Sequence, residues 1–139
     1  MNGIYALFVT FAEDRTIEVG ALGTLSFESG EYCYIGSAMN GLEHRIRRHL
    51  SSNKKIRWHI DFLTVSADSA EAYFSENGEE CGLRYAAERC GMRPAIKGFG
   101  CSDCRCDTHL MISDKGSKER FVTAAGLTRF RQCSEAMER

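Results

Sequence analysis

Proline is almost missing from this chain, with Pro94 the only one among 139 residues. With 43% hydrophobic and 27% charged residues, wholesale disorder is excluded by composition. Long apolar runs are missing as well. None approaches the roughly 20 residues needed to cross a bilayer. The apolar stretch 4–12 has no basic segment before it and is followed by Glu13 and Asp14. It reads as a buried strand, not a signal peptide. No internal repeat, low-complexity tract or interdomain linker is visible. One domain over residues 1–139 is expected, with 115–139 as a C-terminal helical extension. The default setting for such a chain is soluble and cytoplasmic.

A charge excess of either sign is also lacking, since the net charge is −1. The total therefore argues for no polyanionic partner, but the distribution is uneven. Residues 43–57 hold six Lys/Arg against one acid, and residues 62–88 hold six acids against one Arg. Such polarity can present a basic face to phosphates, or it can simply be two solvated surfaces.

Cysteine, by contrast, is plentiful and odd in number, at seven. Without a secretory signal, buried thiols or metal ligands are the stronger expectation over a disulfide framework. Cys101, Cys104, Cys106 and His109 are spaced tightly enough for a tetrahedral Zn²⁺ site. The alternatives are thiols packed near Cys81, or a disulfide among Cys81, Cys104 and Cys106.

The continuous apolar run Ile4–Phe11 predicts a central strand covered on both faces. Thr16–Val19 and an irregular stretch around Leu22, Leu25 and Phe27 predict further strands, and a turn at Ser29-Gly30 leads into a strand over Glu31–Ile35. Asn40-Gly41 then precedes a helix from Leu42 to about Ser51. At about 100° per residue, Leu42, Ile46 and Leu50 form its buried stripe. Arg45 and His49 sit together on one margin, where they can flank Tyr34 or make a structural hydrogen bond to the sheet. Arg47 and Arg48 are expected to point outward. With Lys54, Lys55 and Arg57 they are the candidate nucleic-acid contacts.

Trp58–Leu63 predicts a short helix or turn anchored by the only Trp, with His59 and Asp61 as polar groups near the site or members of a structural network. Asp68–Ser75 alternates as a strand, with Ala70, Ala72 and Phe74 on one face and Tyr73 on the other. A helix then runs to Cys90, stopped by Gly91. Glu79 and Glu80 both fall on the margins of its apolar face. Either could ligate a metal, or Asn77 and Glu80 could form a capping box. Leu110–Ser113 is a last strand, before a C-terminal helix with Phe121, Val122, Ala125 and Phe130 as its apolar positions.

The triplets Gly3-Ile4-Tyr5 and Tyr34-Ile35-Gly36, followed by Arg45 and His49, resemble the GIY-YIG nuclease family. The segments Tyr34–Ala38, Trp58–Asp61 and Gly98–Leu110 are similar to a compact archaeal and bacterial branch described as endonuclease III-associated. The chain departs from the family in the wide separation of its triplets and in Ser37, where repair-type members often carry Lys. The resemblance implies an α+β fold, a small and mainly antiparallel sheet flanked by helices. It implies Tyr5, Tyr34, Arg45, His49 and Glu80 as catalytic residues, with Glu80 holding Mg²⁺ or Mn²⁺.

The expected activity is metal-dependent cleavage of DNA phosphodiesters, with DNA favoured over RNA, repair as one setting and no membrane partner. A non-cleaving nucleic-acid-binding module on the same fold is the rival. A zinc- or redox-responsive protein using the Cys101–His109 segment is a third reading.

Overall fold

The apolar run near the start of the chain becomes the middle of the sheet. The computed structural model describes residues 2–100 and 106–131. In it, β1 (Gly3–Phe11) leads into a ribbon of β2 (Arg15–Glu18) and β3 (Thr24–Phe27), with a 3-10 turn at Gly20–Leu22 between them. Then come β4 (Gly30–Ala38), α1 (Leu42–Leu50), α2 (His59–Ser66), β5 (Ser69–Ser75) and α3 (Glu80–Arg89). The described chain closes with β6 (Arg93–Pro94), β7 (Leu110–Ser113), α4 (Lys115–Ala124) and β8 (Thr128–Arg129). Six strands form one antiparallel sheet in the order β6-β7-β4-β1-β5-β8, and β2 and β3 form a separate two-stranded sheet. The domain is α+β.

Alternation along β1 builds two cores. Tyr5, Leu7, Val9 and Phe11 face α1, α2 and the ribbon, packing with Leu42, Ile46, Ile60, Leu63 and Phe27. Ile4, Ala6 and Phe8 face the other way, onto Leu83, Ala87, Met92, Phe121 and Leu127. This double coverage is why β1 carries no polar alternation: both of its faces leave water, and each large apolar side chain buried there adds roughly 1.5–3 kcal/mol of transfer free energy. β5 divides as its pattern predicts, with Ala70, Ala72 and Phe74 in the first core and Tyr73 in the second.

Three local expectations change. In α1 the fully buried residues are Leu42, Ile46 and His49, whereas Leu50 is half-buried. The short helix expected after Trp58 forms, with Trp58 at the N-cap of α2, 39% exposed and its ring centroid 4.5 Å from the Arg48 guanidinium. The N-cap of α3 is Glu79, not Asn77, so Glu80 is the first helical residue and makes no capping box with Asn77. Phe130 does not belong to α4. The helix ends at Ala124, and Gly126 at φ +64° turns the chain into β8 on the sheet edge. Phe130 then packs against Phe74, with ring centroids 6.3 Å apart. The segment 115–131 is thus a helix followed by an edge strand, with Phe121 fully buried. Asp114 starts that helix through a reciprocal cap. Its carboxylate accepts from Ser117 N at 2.8 Å, and its own N–H donates to Ser117 Oγ at 3.1 Å.

Candidate functional site

The two triplets form one packing unit. Antiparallel register sets Tyr5 opposite Gly36. A Cβ at position 36 would lie 2.5 Å from both Cζ and Oη of Tyr5. The glycine therefore gives the phenol room to lie across β4 and reach α1. There Tyr5 Oη and His49 Nε2 hydrogen-bond at 2.7 Å. Both side chains are buried. Tyr34, two residues earlier on β4, sets its ring against His49 and Phe99, with centroids 6.3 and 5.9 Å apart.

Arg45 comes from the same helix, one turn before His49. Ile35 donates its N–H to His109 O, so strand alternation directs the Ser37 carbonyl to the same edge of β4. The last β7 pair is Tyr34 with Leu110, so Ser37 lies beyond that ladder. Arg45 Nη1 fills the position, donating to Ser37 O at 2.6 Å. Its guanidinium lies 5.1 Å from the Trp58 ring centroid, and its charge acts on the nearby Tyr5 phenol.

Glu80 approaches from the opposite face of the sheet, where α3 packs. Ser37 Oγ donates to Glu80 Oε1 at 2.6 Å. Glu80 Oε2 lies 2.6 Å from His109 Nδ1, so the buried imidazole braces the second oxygen. Tyr5, Tyr34 and His49 share the α1 face, and Glu80 belongs to the α3 face. They come together around the end of β4, with Ser37 as the link between Arg45 and Glu80. Glu79, the other candidate carboxylate, is exposed.

The electrostatics follow from burial and from these partners. Burial, then the neighbouring Tyr34 and Glu80, raise the Tyr5 phenol, and Arg45 only partly offsets them. Tyr5 is a neutral phenol at pH 7. Burial, with Lys54 next, lowers His49 to about 3, so its imidazole is also neutral there. Glu80 is the charged member. Burial opposes its ionisation, but the hydrogen bonds from His109 and Ser37, with the charge of Arg45, hold it below the usual glutamate range. Its side chain is 29% exposed. Each oxygen keeps lone-pair capacity beyond the one contact described. A single ionised, partly open carboxylate fits a hard divalent ion that retains most of its waters.

The basic candidates divide. Arg48 does not point outward. It forms a bidentate pair with the fully buried Asp61, Nη1 to Oδ1 at 2.9 Å and Nη2 to Oδ2 at 2.8 Å, and lies 4.5 Å from the Trp58 ring centroid. Asp61 also accepts the N–H groups of Arg57 and Trp58. Lys54 turns back on α1, donating to the carbonyls of Arg48 and His49 at 3.0 and 2.8 Å, where it meets the negative helix end. Arg47 pairs with Glu43 at 2.5 Å on the outer face. Lys55 and Arg57 are exposed. Beside them lies a cleft of about 360 Å³ lined by Tyr34, Arg57, Trp58, His59, Phe99 and the glycines flanking Phe99.

Of the predicted zinc set, Cys101 and Cys104 lie outside the described residues. Cys106 and His109 are brought together, and among the described residues Cys81 completes the group. Sequence reasoning did not assign a bond to Ser37, a bidentate partner to Arg48, or a ligand position to Cys81. The signals were present in the short segments Tyr34–Ala38 and Trp58–Asp61 and in the adjacency of Cys81 to Glu80. None states which side chain meets which.

The fold and site define an α+β domain with a Tyr–His–Arg–Glu cluster wrapped around the end of one central strand. Residues 4–131 match the family model described as domain of unknown function DUF123, and the chain belongs to that family. No curated protein and no solved structure matches it.

Proposed function

We propose that this protein is a divalent-metal-dependent nuclease of GIY-YIG type that cleaves DNA phosphodiesters, with repair as its setting. The observation that carries this reading is the grouping at the end of β4, where Arg45 and Glu80 both bond Ser37 and the Tyr5–His49 pair lies on the α1 face beside them. In this reading Glu80 holds Mg²⁺ or Mn²⁺. When bound, the ion supplies charge stabilisation at the phosphate and the leaving oxygen. Arg45 presents a fixed guanidinium fork to phosphate oxygens. Neutral His49 holds the Tyr5 hydroxyl in place, and Tyr5 and Tyr34 orient the attacking water by hydrogen bonding. The ionised Glu80 carboxylate needs no pH adjustment to act as a ligand near neutrality.

One observation favours a second reading. Both Glu80 oxygens already have partners, Ser37 and His109. That suits a non-cleaving nucleic-acid-binding module in which Glu80 ties α3 to β4. A panel of labelled DNA and RNA, with and without Mg²⁺ or Mn²⁺, separates the two readings. The nuclease reading expects metal-dependent cleavage by wild type and by Glu79→Gln, lost in Glu80→Gln and Tyr5→Phe while both variants stay folded. Cleavage retained by both site variants would remove these residues from the chemistry. Binding without cleavage of any substrate by wild type would establish the module.

A further inference from the structure

We propose that Cys81, Cys106 and His109 form a Zn²⁺ site that clamps the first turn of α3 to the segment entering β7. The donor atoms of these three residues all lie within 4.8 Å of one another. Cys81 Sγ and His109 Nε2 are 4.0 Å apart. In a tetrahedral site with Zn–S near 2.3 Å and Zn–N near 2.0 Å, adjacent donors are separated by about 3.5–3.8 Å. The three need draw in by only about an ångström or less to meet that geometry.

The imidazole is set up for this role. His109 is fully buried. Its N–H donates to Phe99 O at 2.8 Å and its carbonyl accepts from Ile35 N at 2.9 Å, so both sides of its backbone are anchored. On the ring, Nδ1 meets the Glu80 carboxylate at 2.6 Å. An ionised carboxylate at that distance favours the tautomer with its proton on Nδ1, which leaves Nε2, 4.0 Å from Cys81 Sγ, as the ligand atom. A carboxylate behind the far nitrogen is the usual support of a metal-bound histidine, because it fixes the tautomer and raises ligand basicity.

The sequence spacing fits as well. Cys106 and His109 supply a close pair from one segment, and Cys81 supplies a ligand from a distant helix, so the ion would cross-link two separate elements. Two thiolates and one imidazole suit Zn²⁺ over a hard cation. Both thiols lose their protons on binding, so affinity rises with pH. Three protein ligands leave one coordination position for water or another donor. The proposal does not rest on the nuclease reading, and its test reads no activity.

The test uses the full chain, purified under reducing conditions. Metal content is measured first. The ion is then replaced with Co²⁺, and thiolate-to-cobalt charge transfer is recorded with the ligand-field bands. Expected results are one Zn²⁺ per chain, a tetrahedral thiolate spectrum, and loss of both in Cys106→Ser and in Cys81→Ser. The Cys33→Ser and Cys90→Ser controls should keep them. Glu80→Gln should retain the site with about 10- to 100-fold weaker affinity, as for other outer-sphere carboxylates.

Should Cys81→Ser fail to fold, the wild-type spectrum and Cys106→Ser still decide the matter. Three results would overturn the assignment. One is a wild-type protein that takes up neither Zn²⁺ nor Co²⁺. Another is a Cys106→Ser variant that keeps the ion and its charge-transfer band. The last is a Cys81–Cys106 disulfide that persists in the chain purified under reducing conditions.

Discussion

Replacing Asp61 by Ala should unfold the protein more readily than any change to an exposed charge. The carboxylate is fully buried and accepts from both guanidinium nitrogens of Arg48 and from the N–H groups of Arg57 and Trp58. Its loss leaves the Arg48 charge, 16% exposed, without its partner. Breaking a buried pair on one side costs about 3–5 kcal/mol, and the remaining exposure of Arg48 argues for the lower end. Orphaning the two amides adds about 1 kcal/mol, because both belong to exposed residues that water can reach. The expected total is therefore about 4 kcal/mol.

Arg48→Met should cost a similar amount. The double variant should be less destabilised than the sum of the two, by about 2 kcal/mol, because each single change already breaks the same pair. Urea denaturation of the four proteins at pH 7 measures this cycle. Burial raises the Asp61 pKa, but the Arg48 and backbone hydrogen bonds outweigh it and the net shift is downward. The contribution is thus present above the unfolded Asp value of about 3.9 and is lost as pH falls through the folded value. The gap between wild type and Asp61→Ala should narrow in acid. A cost below about 1 kcal/mol for Asp61→Ala, with additivity within about 0.5 kcal/mol, would refute the reasoning.

Other outcomes follow from the same contacts. Gly36→Ala should destabilise by about 1–3 kcal/mol through overpacking against Tyr5. The penalty should largely disappear in a Tyr5→Ala background, and a full penalty in both backgrounds would mean that another neighbour is responsible. His49 is held at about 3 in the folded chain, below its unfolded value of about 6.5, so the unfolded state protonates first. Stability should fall as pH drops from 6.5 toward 3, by at most about 1.4 kcal/mol per pH unit from this group. His49→Gln should flatten that slope in acid denaturation curves. If DNA binds along α1, Arg48→Met should leave the salt dependence of binding unchanged, whereas Arg57→Ala should reduce the slope by about 0.9 if Arg57 meets a phosphate. A fall with Arg48→Met would return Arg48 to the binding face.

The central strand, the helix at 42–50 and the α+β class were legible because each depends on local periodicity. The apolar run Ile4–Phe11, short, rich in aromatic and aliphatic residues and without polar alternation, reads as a strand buried on both sides, and it is one. The helical spacing of Arg45 and His49 likewise placed them side by side. What the sequence could not state was the partner of each polar group. Arg47 and Arg48 are adjacent and chemically identical, yet one pairs with Glu43 on the surface and the other with buried Asp61. That difference comes from α2 packing beside α1, a contact between segments separated by a polar loop.

The choice between Glu79 and Glu80 is of the same kind. Periodicity left both on the helix margin. The start of α3 at Glu80 leaves Glu79 exposed and sends Glu80 to Ser37 and His109, 43 and 29 positions away in the chain. Patterning along the chain determined which segments become strands and helices, because burial acts on every third, fourth or alternate residue. Only the tertiary structure decided which cations are spent inside the protein, which carboxylate reaches Ser37 and which cysteine joins His109. Those outcomes depend on hydrogen bonds and packing between residues that no local rule brings together.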